Sequence, residues 1–195
     1  MKRPVILSSG RYTIRAMALP TGWAATAHLQ GGRPGTGPID RVDGRTQDEV
    51  VGALHDRLAD RARRLKAARR HDADMGFDVP SESEYREALG VVGLSRSQMA
   101  MLTAHAKAGD AGLSATDLSR AGGFRGYEAA NMHYGKAGRT LAERLDITPP
   151  VSRIRGHDLW TGTLAAWHPT SDDPDIGGLW IMYPELCKAV GALQV

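Results

Sequence analysis

Ahead of four apolar runs the chain sets a hydroxyl three residues before a carboxylate or amide: Thr46–Glu49, Ser81–Glu84, Ser95–Gln98 and Ser114–Asp117. In that arrangement the hydroxyl accepts from an unpaired N–H of the first helical turn, and the group three residues on reaches back to the cap. Each pair therefore opens a helix. The first helix carries Val50, Leu54, Leu58, Ala62 and Leu65 at helical spacing. Its acidic residues, Asp48, Glu49 and Asp56, come early, while Arg57, Arg61, Arg63, Arg64, Lys66, Arg69 and Arg70 crowd its end, the order a helix dipole favours. The second carries Tyr85, Ala88 and Leu89 and ends near Gly93. The third carries Met99, Met101, Leu102 and Ala106, and the fourth Leu118 and Ala121 before Gly122 and Gly123 break it. Gly126 then leads into a longer helix, Tyr127 to Leu145, and Pro149-Pro150 closes the helical part.

Strand signals flank this run of helices. Tyr12 to Leu19 and Trp23 to Leu29 surround Pro20-Thr21-Gly22 and predict a hairpin. Gly31 to Pro38 is too rich in Gly and Pro for regular structure, and a short third strand is expected at Ile39 to Val42. Late in the chain, Asp158 to Trp167 and Leu179 to Tyr183 read as strands around a polar loop, and Pro184 starts a last helix running to about Leu193. The fold class is therefore α+β. A small strand-strand-helix unit spans 10–71, a polar linker ending in Pro80 spans 72–80, and a helical domain of winged helix-turn-helix type spans 81–193.

With 195 residues the chain has room for one domain or two small ones. Cys187 is the only cysteine, which excludes an internal disulfide and a cysteine-based zinc cage. The Pro4–Leu7 apolar run is too short for a signal peptide or membrane span, so a cytoplasmic protein with no membrane partner is expected. The formal net charge is +3. Phosphate binding depends on where such charge is placed rather than on its sum.

The order helix, short helix, longer helix, hairpin is that of a winged helix, whose third helix enters the DNA major groove N-terminal half first. Gly122-Gly123-Phe124-Arg125-Gly126 supplies the glycines a sharp corner needs. On the third helix, Ala130, Tyr134, Ala137, Leu141 and Leu145 share the inward face. Glu128, Asn131, Met132, Gly135, Lys136 and Arg139 fall on or beside the outward one. Arg125, just before the helix opens at Tyr127, and Asn131 have the donors that read guanine and adenine edges. Lys136 and Arg139 are placed for phosphates, as are Arg153, Arg155 and His157 at the base of the wing. Gly135 and Gly138 each cost ~1 kcal/mol against Ala within a helix, which implies close approach of another backbone, from a neighbouring helix or from nucleic acid.

The segment Ala129-Ala-Asn-Met-His-Tyr-Gly-Lys-Ala-Gly-Arg-Thr-Leu141, with Gly178-x-Trp-x-Met-x-Pro-Glu-Leu186 later, resembles a bacterial domain of uncharacterised function. Its pattern is Ala-Ala-Asn-x-x-Tyr-Gly-x-x-Gly, and it is similar to DNA-binding modules that accompany McrA-like HNH restriction endonucleases. The resemblance covers roughly residues 97–193. It implies DNA binding connected with defence against foreign DNA, and carries Asn131, Tyr134, Gly135, Lys136 and Arg139 as contacts. An HNH nuclease needs clustered His and Asn ligands. The seven histidines here are scattered without ligand spacing, so nuclease activity is not carried over. No phosphate-binding loop, nucleophile elbow or zinc motif appears. Asp172, Asp173 and Asp175 read as a solvated acidic loop that would repel phosphate.

Two functions are consistent with these features, neither enzymatic and neither calling for a metal or cofactor. One is a reader of double-stranded DNA, a regulator or the recognition subunit of a defence system, with a homodimer among the allowed assemblies. The other is a protein-interaction module, such as an antitoxin or a phage-encoded inhibitor of a host system, with a nuclease or toxin as partner. In outline the N-terminal unit resembles the sheet-plus-helix domains of HicB-like antitoxins.

Overall fold

The computed structural model describes residues 3–32, 37–152, 156–170 and 177–193. The chain is α+β and divides into two compact units, Met1–Ala67 and Ala68–Val195. The first is an antiparallel meander of β1 (Val5–Ser9), β2 (Tyr12–Leu19), β3 (Gly22–Leu29) and β4 (Asp40–Gly44), followed by α1 (Gln47–Ala67). The β2–β3 hairpin pairs Tyr12 with Leu29 through to Leu19 with Gly22. Tyr12, Ile14 and Ala16 alternate onto one face of the sheet with Ala25 and Ala27 of β3, and there they meet Val50, Leu54 and Leu58 of α1. Each buried Leu or Ile contributes roughly 1.5–3 kcal/mol. The Pro4–Leu7 run belongs to the edge strand β1, so the sheet is larger than the hairpin and third strand expected. Thr46 caps α1 as predicted, accepting from the Glu49 N–H at 3.2 Å. Of the expected Gly31–Pro38 loop, residues 33–36 lie outside the described set.

The second unit opens where a linker was expected. Residues 72–80 are not a bare connector: β5 (Arg70–Asp72) and β6 (Phe77–Val79) form a hairpin, and Phe77 and Val79 are buried in the core. The expected first unit of 10–71 thus gives up its last residues to this hairpin. Next come α2 (Glu82–Leu89), α3 (Arg96–Ala108), α4 (Ala115–Gly122) and α5 (Tyr127–Leu145), with β7 (Ala165–Pro169), β8 (Gly178–Met182) and α6 (Pro184–Gly191) completing the unit. The capping boxes at Ser81, Ser95 and Ser114 are all formed. Tyr85, Met101, Leu102, Leu118, Tyr134, Leu141, Leu164, Met182 and Leu186 fill a single core. Glu84 is buried at the start of α2, where Arg69 binds it through Nη2 at 2.7 Å and Nε at 3.1 Å, and Ser81 N–H donates to it at 3.1 Å. A buried carboxylate needs that full set of partners.

The strand predicted from Asp158 to Trp167 is only half a strand. Trp160–Thr163 coils into a 3-10 turn, closed by Thr163 Oγ1 donating to the Trp160 carbonyl at 2.7 Å and Leu164 N–H to that of Thr161 at 2.9 Å. The ladder with β8 begins at Ala165, paired with Met182, and runs to Pro169, paired with Gly178.

Candidate nucleic-acid interface

The corner between α4 and α5 is fixed from both sides. Gly123 takes φ +75°, its N–H bonds to the Arg120 carbonyl at 3.2 Å, and the Phe124 N–H bonds to that of Ser119 at 2.9 Å. This paired closure at a left-handed residue is the Schellman form of helix ending, for which glycine is suited. Ser119 Oγ donates to the Phe124 carbonyl at 3.1 Å, and the Phe124 ring stacks on His133 of α5 with centroids 4.7 Å apart. Gln98 Nε2 of α3 donates to the His133 carbonyl at 3.1 Å. The turn and the first half of α5 are thereby held as one piece, with Arg125 and Gly126 exposed.

The inward face of α5 is Ala130, Tyr134, Ala137, Gly138, Leu141, Ala142 and Leu145. Tyr134 is 1% exposed and hydrogen-bonded to His105 Nδ1 of α3 at 2.6 Å. It is a core residue, so the direct contact that the motif resemblance implied for it is corrected: burial leaves it no surface to present. Gly135 is half-buried. A Cβ there would meet Thr161 and Trp160 at van der Waals distance, and one at Gly138 would lie 2.1 Å from the Trp160 carbonyl oxygen. Gly138 serves close packing of α5 on the 3-10 turn, whereas the space at Gly135 would admit a Cβ.

The outward face divides. Tyr127, Glu128, Asn131, Met132 and Lys136 are exposed or partly so. Arg139 is exposed as well but engaged: its Nε donates to Glu143 at 2.7 Å and its guanidinium lies over the Trp160 ring, 5.5 Å from the centroid. Arg125 and Lys136 make no ion pair among the described residues. Arg153 and Arg155 lie outside the described residues, as do Asp172, Asp173 and Asp175.

Two features that sequence reasoning missed organise this region. Leu113, between α3 and α4, exchanges two backbone hydrogen bonds with Trp180 of β8, each 2.9 Å. The Trp180 carbonyl also accepts from His105 Nε2 at 2.7 Å. His105 has no exposed surface, and burial pushes its pKa below the ordinary imidazole value. It stood on the apolar stripe of α3 beside Met101 and Leu102, which was the one available signal. Burial also holds the Tyr134 hydroxyl well above the usual phenol range, so it stays protonated. Trp167 packs edge-on against Trp180 across the hairpin at 5.1 Å.

Among the described residues, no group of three or more His, Cys, Asp or Glu side chains is placed to hold a metal ion, and no helix is long and apolar enough to cross a membrane. Comparison with protein-family models, with curated proteins and with solved structures returns no match.

Proposed function

We propose that the protein binds duplex DNA, with the α4–α5 corner and the N-terminal half of α5 in the major groove. The observation that carries this reading is the two-way bond between Leu113 and Trp180. It adds a one-residue bridge to the β7–β8 hairpin, and the succession helix, bridge, helix, helix, hairpin supports a winged-helix reading. In such a unit the residues opening the last helix face the groove, and here those are Arg125, Tyr127, Asn131 and Lys136. Arg125 and Asn131 supply base-edge donors, and Lys136 a phosphate contact. A role as regulator or as recognition subunit of a defence system rests on the motif resemblance.

Anisotropy titration with labelled duplexes drawn from a selected pool tests the reading. The expected result is binding that weakens steeply with salt. The Arg125→Ala and Asn131→Ala substitutions should each weaken it ~5- to 150-fold, corresponding to the ~1–3 kcal/mol of a base-edge contact, with unchanged melting. Absence of binding at low salt would overturn it.

A protein-interaction role has its own support. Tyr127 is 56% and Met132 51% exposed along the first turns of α5, a helix that carries Glu128 and Glu143 against Lys136, Arg139 and Arg144. Recovery of one stoichiometric protein partner, with no DNA in the complex, favours that role.

A further inference from the structure

We infer that the open face of the β1–β4 sheet is a second DNA-contacting surface, one that lies against the phosphate backbone. The inference stands apart from the reading of α5 and concerns the other unit.

Charge is the first argument. Residues 1–67 contain 12 Lys and Arg against 6 Asp and Glu, whereas residues 68–195 contain 13 against 16. The small sheet unit is the basic part of the chain, and the helical unit is mildly acidic. Sequence-independent attraction to a phosphate backbone follows local positive charge: five of the twelve, Arg57, Arg61, Arg63, Arg64 and Lys66, stand on α1, and Arg15 and Arg41 stand on the strands of the open face.

The sheet supplies the geometry. Its inner face is filled by α1, which leaves the alternate residues of each strand on the other side: Thr13 and Arg15 on β2, Thr26 and His28 on β3, Arg41 and Asp43 on β4. The register aligns Ile6, Arg15, Thr26 and Arg41 in one row across all four strands. Arg15 and Arg41 stand two strands apart, about 10 Å at ~4.8 Å per strand. Two guanidiniums at that separation can each meet a backbone phosphate. Between them Thr26 Oγ1 and His28 Nε2 hydrogen-bond to each other at 3.2 Å, and Thr26 Oγ1 donates to the Arg15 carbonyl at 3.5 Å.

These side chains are available. Arg15 is exposed and makes no ion pair among the described residues. Arg41 binds Asp43 at 2.7 Å, but both partners are more than half exposed, and such a pair contributes little and exchanges readily for phosphate. The competing occupant is a protein, for which Ile6 at 61% and Met17 at 47% exposure would be the apolar anchors.

The test uses the full chain, a labelled 30-base-pair duplex and a salt series. Arg15→Ala with Arg41→Ala should lower affinity at least tenfold. It should also reduce the slope of log K against log salt by about two, roughly one for each phosphate no longer neutralised. The double lysine variant, Arg15→Lys with Arg41→Lys, should keep most of the affinity, which separates charge from folding. Unchanged affinity and slope in the alanine pair overturn the inference, as does a pair that keeps DNA but loses a co-purifying protein. Arg125→Ala with Asn131→Ala, run alongside, distinguishes the surfaces. Loss confined to that variant leaves the α5 reading standing and sinks this one, and loss confined to the sheet variant does the reverse. Absence of binding by the wild type at low salt overturns both.

Discussion

The imidazole of His105 lies between the Tyr134 hydroxyl at 2.6 Å and the Trp180 carbonyl at 2.7 Å, with no exposed surface. A carbonyl can only accept, so Nε2 carries the proton and Nδ1 accepts from the tyrosine. The ring is therefore neutral, and its second proton would have to enter a dry site already occupied by the hydroxyl. Burial lowers its pKa, with the Trp180 carbonyl pulling weakly the other way. In the unfolded chain the same histidine titrates near 6.5. Between that value and the lower folded one the unfolded chain binds more protons, so stability rises with pH there. The contribution is complete above the unfolded pKa and is lost as pH falls through the window beneath it. Melting followed from pH 8 to 5 should accordingly decline below about 6.5, and His105→Gln should flatten that decline while lowering the melting temperature at pH 8. An unaltered acid slope in the variant would remove His105 as its source. Tyr134 shows how far single residues could be read in advance. Helical periodicity put it inward, the motif resemblance put it on DNA, and packing followed the periodicity, because an apolar ring at that register has a core to fill.

At the scale of elements, legibility tracked how local the determining interaction is. The four capping pairs specify their helices from within a few residues, and α5 spans Tyr127–Leu145 as expected. The β5–β6 hairpin was illegible because strands of three residues are too short to show alternation, and Phe77 and Val79 find their burial only against distant helices. Trp160–Thr163 escaped for a related reason: its turn is shaped to receive α5. Gly138 makes that visible, since an added Cβ would stand 2.1 Å from the Trp160 carbonyl oxygen and 2.8 Å from Thr163 Oγ1. Both elements would have to part. Gly138→Ala should destabilise the protein by about 2 kcal/mol or more, as overpacking of a tight contact does, although Ala gains ~1 kcal/mol of helix propensity over Gly. At Gly135 the same atom meets only Thr161 Oγ1 at 3.8 Å and Trp160 Cβ at 4.0 Å. Gly135→Ala should therefore be neutral or stabilise by up to ~1 kcal/mol. Urea titration of the two variants decides the matter, and equal effects at both positions would contradict the packing argument.

The whole molecule consists of two units with separate hydrophobic clusters, one around Ile14 and Leu54 and one around Tyr85, Leu102 and Leu141. That division was legible in outline, since sheet and Arg-rich helix precede the capped helices, but its position was not, because the residues at the join carry no Gly or Pro signal. A unit of 67 residues buries a modest share of its surface, and at 0.05–0.15 kcal/mol per residue its stability is roughly 3–10 kcal/mol. Leu54 is fully buried between α1 and the sheet. Truncating such a leucine costs ~2–5 kcal/mol, a large fraction of that total. Leu54→Ala should thus melt the sheet unit at a lower temperature while the helical unit keeps its own transition. Amide exchange would report this as lost protection in β2 and β3 with protection in α5 intact. The charge partition makes the consequence functional: if the basic unit supplies the attraction to phosphate, warming this variant past its first transition should lower DNA affinity before α5 is disturbed. A single transition that shifts as a whole, with protection lost equally in β3 and α5, would show the two clusters to be one cooperative body.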